Sequence, residues 1–508
     1  MDTKAVLTKA VLTKAGLTKA VLAKIRGYAD RPWQMLIGGE LLTGRTGATM
    51  PVVHPGDESV IAEIPLGSAG DVDDAVSAAR AASGPWARVP IIERAAALAA
   101  LAEAVQRHGD ELAWIDTLDN GSPIGVMRND YRLAVEQLRY FAGLALQLRG
   151  QTLPVPEHDA IDFTLADPFG VVGRLIPFNH PLMFAASRIA APLLAGNCVV
   201  LKPSEQTSLS ALRLGELARP ILPAGVLNVV TGTGDVVGEH LVAHPDVPRI
   251  AFTGSEAVGR RILARAAASP AVKTVTLELG GKNPLLVFAD ADVPAAVDGA
   301  LRGMNFRWQG QSCGSTSRLF VQRRLFERFV AGLADRMRSL KIGDPLLDST
   351  DVGPLVSRAH YERVRRFIDQ GLADPELELV TGGTADDRRG YFVPPTLFTA
   401  ASGPHGPLFT EEIFGPVLVA APFDDYEEAI ALANNLPVGL TASVWTTSLH
   451  TAMAAARDLA AGYVWVNWSS EHIAGSSFGG VKNSGLGREE SLQEIESYTQ
   501  HKNVYLRF

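Results

Sequence analysis

Val171-Val-Gly-Arg-Leu-Ile176, then Pro177-Phe-Asn-His-Pro-Leu182, then an Ala- and Leu-rich run closing on Gly196-Asn-Cys-Val-Val-Leu201, decide the fold. The first piece is a short β-branched run and reads as a buried strand over Val171–Ile176. Cys198–Leu201 reads as a second strand, with Val199–Leu201 at its centre. Leu182 to Leu201 is the nearest approach to a membrane span in the chain, but Arg188, Pro192 and the Gly196-Asn197 pair interrupt it. It therefore reads as a buried helix leading into a strand, and no integral membrane segment is expected.

Outward from this unit the alternation continues. Helical patterns fall at 72–82, 91–108, 130–148, 208–217, 325–339, 360–370, 426–434 and 449–459. Short strands fall at 227–230, 249–252, 274–277, 284–288, 319–321 and 464–466, so the fold class is α/β with parallel sheets. A turn-rich segment, 150–162, precedes an alternating stretch, 163–172. The terminal 498–508 alternates again and suits an edge strand covered by another subunit.

With 508 residues, two or three domains are expected at ~150 residues each. Lys+Arg 47 against Asp+Glu 55 leaves a net charge of −8, with no basic face for nucleic acid or anionic membrane. Two cysteines exclude a disulfide framework and point to a reducing, cytoplasmic setting. Residues 3–22 repeat a five-residue unit beginning Thr3-Lys-Ala-Val-Leu7. Its lysines spiral around a helix, so no apolar face forms, and it reads as an extension outside the fold.

Several segments carry residues with chemical potential. Cys198 is most simply a core thiol. Cys313 lies in a polar, Gly-punctuated loop, Gln309-Gly-Gln-Ser-Cys-Gly-Ser-Thr-Ser317. A reactive thiol needs partial exposure and a field favouring thiolate; on environment alone, a structural role is favoured. Glu278, ending an apolar strand beside Gly280-Gly281, suits a desolvated general base or a turn cap about equally. Asn179 suits a helix cap better than an oxyanion donor. Gly234 belongs to Thr231-Gly-Thr-Gly-Asp-Val-Val-Gly238, one residue longer than the usual dinucleotide fingerprint. Ser255 opens a helix after a strand, and Lys202 and Glu205 follow another strand end. Each is an ordinary strand-to-helix turn by itself, but three such loops fit a ligand site outside the carboxyl ends of a parallel sheet. His240 and His244 have helical spacing without a third ligand, so no metal is expected. Walker A and G-x-S-x-G motifs are absent.

Taken in order, these segments resemble the NAD(P)-dependent aldehyde dehydrogenases, of the hydrolytic, non-acylating type, over about residues 33–508. The likeness runs from Trp33-Gln-Met-Leu-Ile-Gly-Gly-Glu40 to the terminal strand. Its most specific pieces are Leu277-Glu-Leu-Gly-Gly-Lys282 and the Cys313 loop. Glu411-Glu-Ile-Phe-Gly-Pro416 and Phe478-Gly-Gly-Val-Lys-Asn-Ser-Gly-Leu-Gly-Arg-Glu489 complete the set. The resemblance implies two Rossmann-like lobes and a small β oligomerisation element. Residues 1–27 would be an extension, 28–149 and 169–277 the NAD-binding domain, and 278–491 the catalytic domain. Residues 150–168 and 492–508 would build the oligomerisation element of a homodimer or homotetramer.

The same resemblance implies roles. Cys313 would attack an aldehyde, Asn179 and the Cys313 N–H would hold the oxyanion, and Glu278 would activate the water that hydrolyses the thioester. Glu489 is similar to a family carboxylate in a proton path; its usual Lys partner is Arg188 here, which does not release a proton. Phe178, Lys202, Glu205, Ser255, Glu412 and Phe414 match cofactor positions, beside Gly234 from the glycine run. Glu205 favours NAD over NADP by repelling a 2′-phosphate. His180, Met183, Trp308 and Phe478 are candidate pocket residues, with Phe184 and Ser312 beside them. They are mostly aromatic or apolar, so an aromatic or medium-chain apolar aldehyde is expected. Semialdehyde or amino-aldehyde oxidation, CoA acylation and a non-catalytic descendant are the alternatives; Glu278 argues against CoA acylation.

Overall fold

The computed structural model describes residues 27, 31–384 and 388–508; the five-residue repeat lies outside the described residues. Two large sheets organise the chain. In the first, Val171–Leu175 pairs in parallel with Cys198–Lys202 on one side and Arg249–Thr253 on the other. Leu227–Val229 and Thr274–Glu278 extend it in parallel at either flank. Chain order therefore reverses at Val171–Leu175, and a parallel sheet opens a ligand crevice beyond the carboxyl ends of its strands at such a switch point. Antiparallel edges close the sheet, with Met35–Ile37 and Glu40–Leu42 at one end and Gly485–Leu486 at the other.

The second sheet runs in the order Glu378–Thr381, Thr396–Thr399, Val417–Phe423, Arg318–Gln322, Pro284–Val287, Thr441–Trp445 and Tyr463–Val466. All its pairs are parallel except the first. Side chains alternate between its faces: Leu286, Phe320 and Val419 enter one apolar cluster, while Leu285, Val287, Leu319 and Val321 enter another. Burial on both faces explains why these strands are continuous apolar runs.

A third, antiparallel sheet pairs Thr499–Arg507 with Ala160–Pro168 along their whole length, and Thr152–Leu153 adds a short outer strand. The terminal strand is thus an edge, as its alternation predicts.

The helix expected over 130–148 instead covers Ile124–Gly143, with a separate 3-10 turn at Ala145–Gln147. A helix absent from the sequence reading, Gly109–Asn120, is buried nearly all round, including Asp116, Thr117, Asp119 and Asn120. Without an apolar stripe it has no 3.6-residue signature. The long glycine fingerprint is also resolved. Gly234–Gly238 forms a π-helical turn that takes up the extra residue before the helix Glu239–Ala243.

Candidate active site

Strand ends of the first sheet face the second sheet across a cleft of about 1220 Å³. Asn179, Glu278 and Cys313 line it, and so do Phe178, Lys202, Glu205, Gly234, Ser255, Glu412 and Phe414. His180, Met183, Trp308, Phe478 and Glu489 lie outside that lining.

Glu278 ends the strand Thr274–Glu278 and is buried, and neither of its carboxylate oxygens has a hydrogen-bond partner among the described residues. Burial first, and then the Glu489 carboxylate, holds its acidity constant well above the usual carboxylate range. Gly479, at φ +155°, passes so close that a Cβ there would lie 2.8 Å from Glu278 Oε1. Only glycine leaves that room at that backbone angle.

The motif that delivers Glu278 also fixes the Cys313 loop. Asn283 Nδ2 donates to the carbonyls of Cys313 (2.7 Å) and Ser315 (3.0 Å), while Asn283 Oδ1 accepts from the Thr441 N–H (3.0 Å). Gln309 at φ +56° and Gly310 at φ +70° bend the chain ahead of the thiol. The local field is the reverse of the one the sequence reading asks for. Burial, then the Glu412 and Glu278 carboxylates, pushes the Cys313 thiol up to about 12. The thiol is protonated at neutrality and depends on a base.

Asn179 is buried, donates from Nδ2 to the Gln311 carbonyl (3.0 Å), and leaves Oδ1 without a partner among the described residues. Its loop is anchored by the helix that periodicity misses. Asn120 Nδ2 donates to the Phe178 carbonyl (2.7 Å), and Asp116 Oδ2 accepts from the Leu182 N–H (3.0 Å). Next to it, the fully buried Asp130 pairs with His180 Nδ1 at 2.8 Å. The His180 ring lies 5.3 Å from Trp308 and 5.5 Å from Phe184, and Met183 follows on the same helix. The Phe478 ring packs 4.3 Å from His472 and 5.9 Å from Tyr463.

The cleft also has the chemistry of a dinucleotide site. Lys202 Nζ, buried at its strand end, lies 3.4 Å from Glu205 Oε2, and Glu205 is half exposed at the rim. A Cβ on Gly234 would meet no atom, so the backbone there faces open space. Ser255 caps a 12-residue helix whose first residues, Glu256 to Val258, line the cleft, a setting for a pyrophosphate. Glu412 accepts from the Gly281 N–H (3.1 Å), and burial moves its carboxyl up to about 7. Phe414, at φ +58°, meets Phe178 edge-on at 5.6 Å, and the ring N–H of His360 donates to the Phe414 carbonyl (2.7 Å).

Glu489 lies behind Glu278 in a buried cluster of charges. Its Oε1 is 2.6 Å from Arg174 Nη2 and its Oε2 3.0 Å from Arg188 Nε. Arg188 Nη2 reaches Glu490 Oε1 at 2.9 Å, and Glu490 Oε2 is 3.2 Å from His472 Nδ1. Arg174, Glu490 and His472 escape the sequence reading. Arg174 had a visible signal, a lone cation inside an apolar strand; Glu490 and His472 had none. His240 and His244 share Asp73, at 2.6 and 3.6 Å.

A model of the aldehyde dehydrogenase family matches residues 42–504. The chain belongs to the aldehyde dehydrogenase family. It is 41% identical over 487 residues to phenylacetaldehyde dehydrogenase of Pseudomonas fluorescens, covering 94% of this chain and 96% of that one. It is 41% identical over 479 residues to hydroxyisobutyraldehyde dehydrogenase of Mycolicibacterium austroafricanum, covering 93% of each. Among solved structures, the NAD+ complex of an aldehyde dehydrogenase from Bacillus cereus superposes with a TM-score of 0.92 at 39% identity. That match covers 97% of this chain and 99% of that one. Among the described residues, no helix of this aldehyde dehydrogenase is long and apolar enough to cross a membrane.

Proposed function

We propose that Cys313, Glu278 and Asn179 are the catalytic groups of an NAD-dependent oxidation of aldehyde to carboxylic acid. The meeting of a thiol, an unpartnered buried carboxylate and an amide donor in one cleft carries this reading. A protonated thiol must first lose its proton, which passes to water in the open cleft. The thiolate sulfur then bonds to the aldehyde carbon, giving a hemithioacetal whose oxygen is charged. The Asn179 amide N–H and the Cys313 backbone N–H hold that oxyanion. When bound, the nicotinamide supplies the hydride acceptor that the chain itself lacks. Oxidation of the adduct leaves a thioester on Cys313. Glu278 takes a proton from water, whose oxygen displaces the thiol and releases the acid.

Lys202, Glu205, Gly234, Ser255, Glu412, Phe414 and the Phe178 backbone would hold the cofactor. Glu205 at the rim would accept from ribose hydroxyls and disfavour a 2′-phosphate, supporting NAD ahead of NADP. His180, Met183, Trp308 and Phe478 would line the aldehyde's approach. Their rings support an aromatic or medium-chain apolar substrate, as does the relative named for phenylacetaldehyde. We assign 28–149 and 169–277 to the cofactor domain, 278–491 to the catalytic domain, and 150–168 with 492–508 to subunit contact. The exposed Tyr505 and Leu506 on the edge strand, with Phe508 just beyond it, support a homodimer or homotetramer, and the two free thiols support a cytoplasmic setting.

Rapid mixing of enzyme, NAD and benzaldehyde, octanal, hydroxyisobutyraldehyde or succinic semialdehyde tests this. The expected result is NADH release without CoA and the highest kcat/KM for benzaldehyde or octanal. A CoA requirement would exclude hydrolysis, and a preference for the semialdehyde would exclude the apolar pocket.

A further inference from the structure

The charges behind Glu278 form a continuous row that ends at the surface. From within outward it runs Arg174, Glu489, Arg188, Glu490, His472, with successive contacts of 2.6, 3.0, 2.9 and 3.2 Å. Arg174 and Arg188 are fully buried; His472 is one-third exposed. Glu494 closes the inner side, its Oε2 accepting from the Glu490 N–H (2.7 Å) and lying 3.9 Å from Arg188 Nη1. Glu494 has burial and then Glu489 raising it to about 7.

Glu490 is held in its charged form. Burial alone would raise it, yet His472 and then Arg188 hold it at about 2. The backbone ties this row to the catalytic base. Phe478 and Glu489 exchange N–H···O bonds of 3.0 and 2.8 Å, and the Gly475 N–H donates to the Glu490 carbonyl at 2.9 Å. Gly479, next along, touches Glu278. A change of charge at Glu490 is therefore felt at Glu278, as both Glu489 and Glu490 oppose its ionisation while Arg188 favours it.

We propose that His472 is a positioning residue for the hydrolytic step, holding the ionised Glu490 against Arg188 and so setting the negative potential under Glu278. This rests on the reading of Glu278 as the water-activating base. The groups that face His472 are few. The Tyr463 ring stacks at 5.9 Å from the neighbouring strand, Trp465 lies at 6.1 Å and Phe478 at 4.3 Å, and Glu490 supplies the one charged contact among the described residues. Glu471 precedes it in the chain. Without the His472 imidazole, Glu490 is left to share Arg188 with Glu489.

The test is the pH profile of kcat together with the pre-steady-state burst of NADH, on the full chain with saturating NAD and benzaldehyde. Removing the imidazole in His472→Phe leaves Glu490 less compensated, so the acid limb of kcat should move to higher pH by on the order of one unit. Removing the carboxylate in Glu490→Gln should move it to lower pH. His472→Lys, which restores a cation, should return the limb close to the wild-type position. Burst amplitude should stay constant throughout, as the step before hydrolysis is untouched. His472→Gln replaces His472→Phe if the larger apolar ring does not fold.

Shifts of the same sign in His472→Phe and Glu490→Gln, or no shift in either, would overturn the proposal, since lost packing has no reason to give opposite signs. A wild-type enzyme without a burst would instead overturn the hydrolytic role of Glu278.

Discussion

The two cysteines start from the same acidity and end with different chemistry. Cys198 is enclosed in the first sheet opposite Val171, and burial alone pushes its thiol up to about 12. Cys313 is pushed to about the same value by burial together with carboxylates. Ground-state acidity therefore does not distinguish a core thiol from a nucleophile. What distinguishes them is the company: Cys198 has apolar strands around it, and Cys313 shares a cleft with the Glu278 carboxylate, unpartnered among the described residues, and the Asn179 amide. The nucleophile is made by its neighbours, at the moment a proton can leave.

The largest effect that tests this contrast is Cys313→Ala. NADH production should fall by at least ~10⁴-fold, as for removal of a catalytic nucleophile elsewhere. Next is Glu278→Gln, which cannot take a proton. Its steady-state rate should fall ~10²–10⁴-fold. If the cofactor-coupled oxidation can still proceed once, a stoichiometric burst of NADH should remain, and stopped-flow absorbance at the NADH band reads both quantities. Loss of the burst with the steady rate would place Glu278 at thiol activation instead of hydrolysis. Asn179→Ala removes one oxyanion donor and should lower kcat/KM by ~10²–10³. A change confined to KM would make Asn179 a loop anchor and nothing more.

Alkylation separates the two thiols by pH. A thiol of pKa about 12 is ionised in a fraction that grows tenfold per unit as pH rises. Iodoacetamide should therefore label Cys313 of the cofactor-free enzyme about tenfold faster for each unit from pH 7 to 10. A plateau near pH 8 would show that the resting site does favour thiolate. Cys198 should stay unlabelled until the protein unfolds.

Much of this was legible in the residues, and the gaps have physical causes. Strands of the first sheet carry β-branched runs bounded by Gly and Pro, and Val171–Leu175, Leu227–Val229 and Arg249–Thr253 emerge from the sequence almost to the residue. Val417–Phe423 and Thr441–Trp445 do not. The first mixes Ala420, Ala421 and Pro422 into its run, and the second is short with Thr441 and Ser443 facing inward. The residues lining the cleft were recoverable because each follows a strand end. Their supports were not: Asp116 and Asn120 stand on a helix without a stripe, and Glu490 and His472 acquire meaning only once Arg188 lies between them and Glu489. Local pattern carries the groups that meet the ligand; long-range pairing carries the groups that hold them.

The smallest predicted effect tests the other half of the contrast. Cys198 is fully buried and accounts for one small side chain in a strand paired on both sides. Cys198→Ala removes a single sulfur and should cost about 1 kcal/mol of stability, in the range of small core truncations. Cys198→Ser puts a hydroxyl among apolar neighbours and should cost more, about 1–3 kcal/mol. Both should leave kcat and the NADH burst at wild-type values wherever the protein is folded, so chemical denaturation and the kinetics must separate. A folded Cys198→Ala enzyme with reduced kcat would break the contrast. The strand carrying Cys198 continues to Lys202 at the cleft, so such a loss would mean that packing at Cys198 positions the cofactor end of the strand.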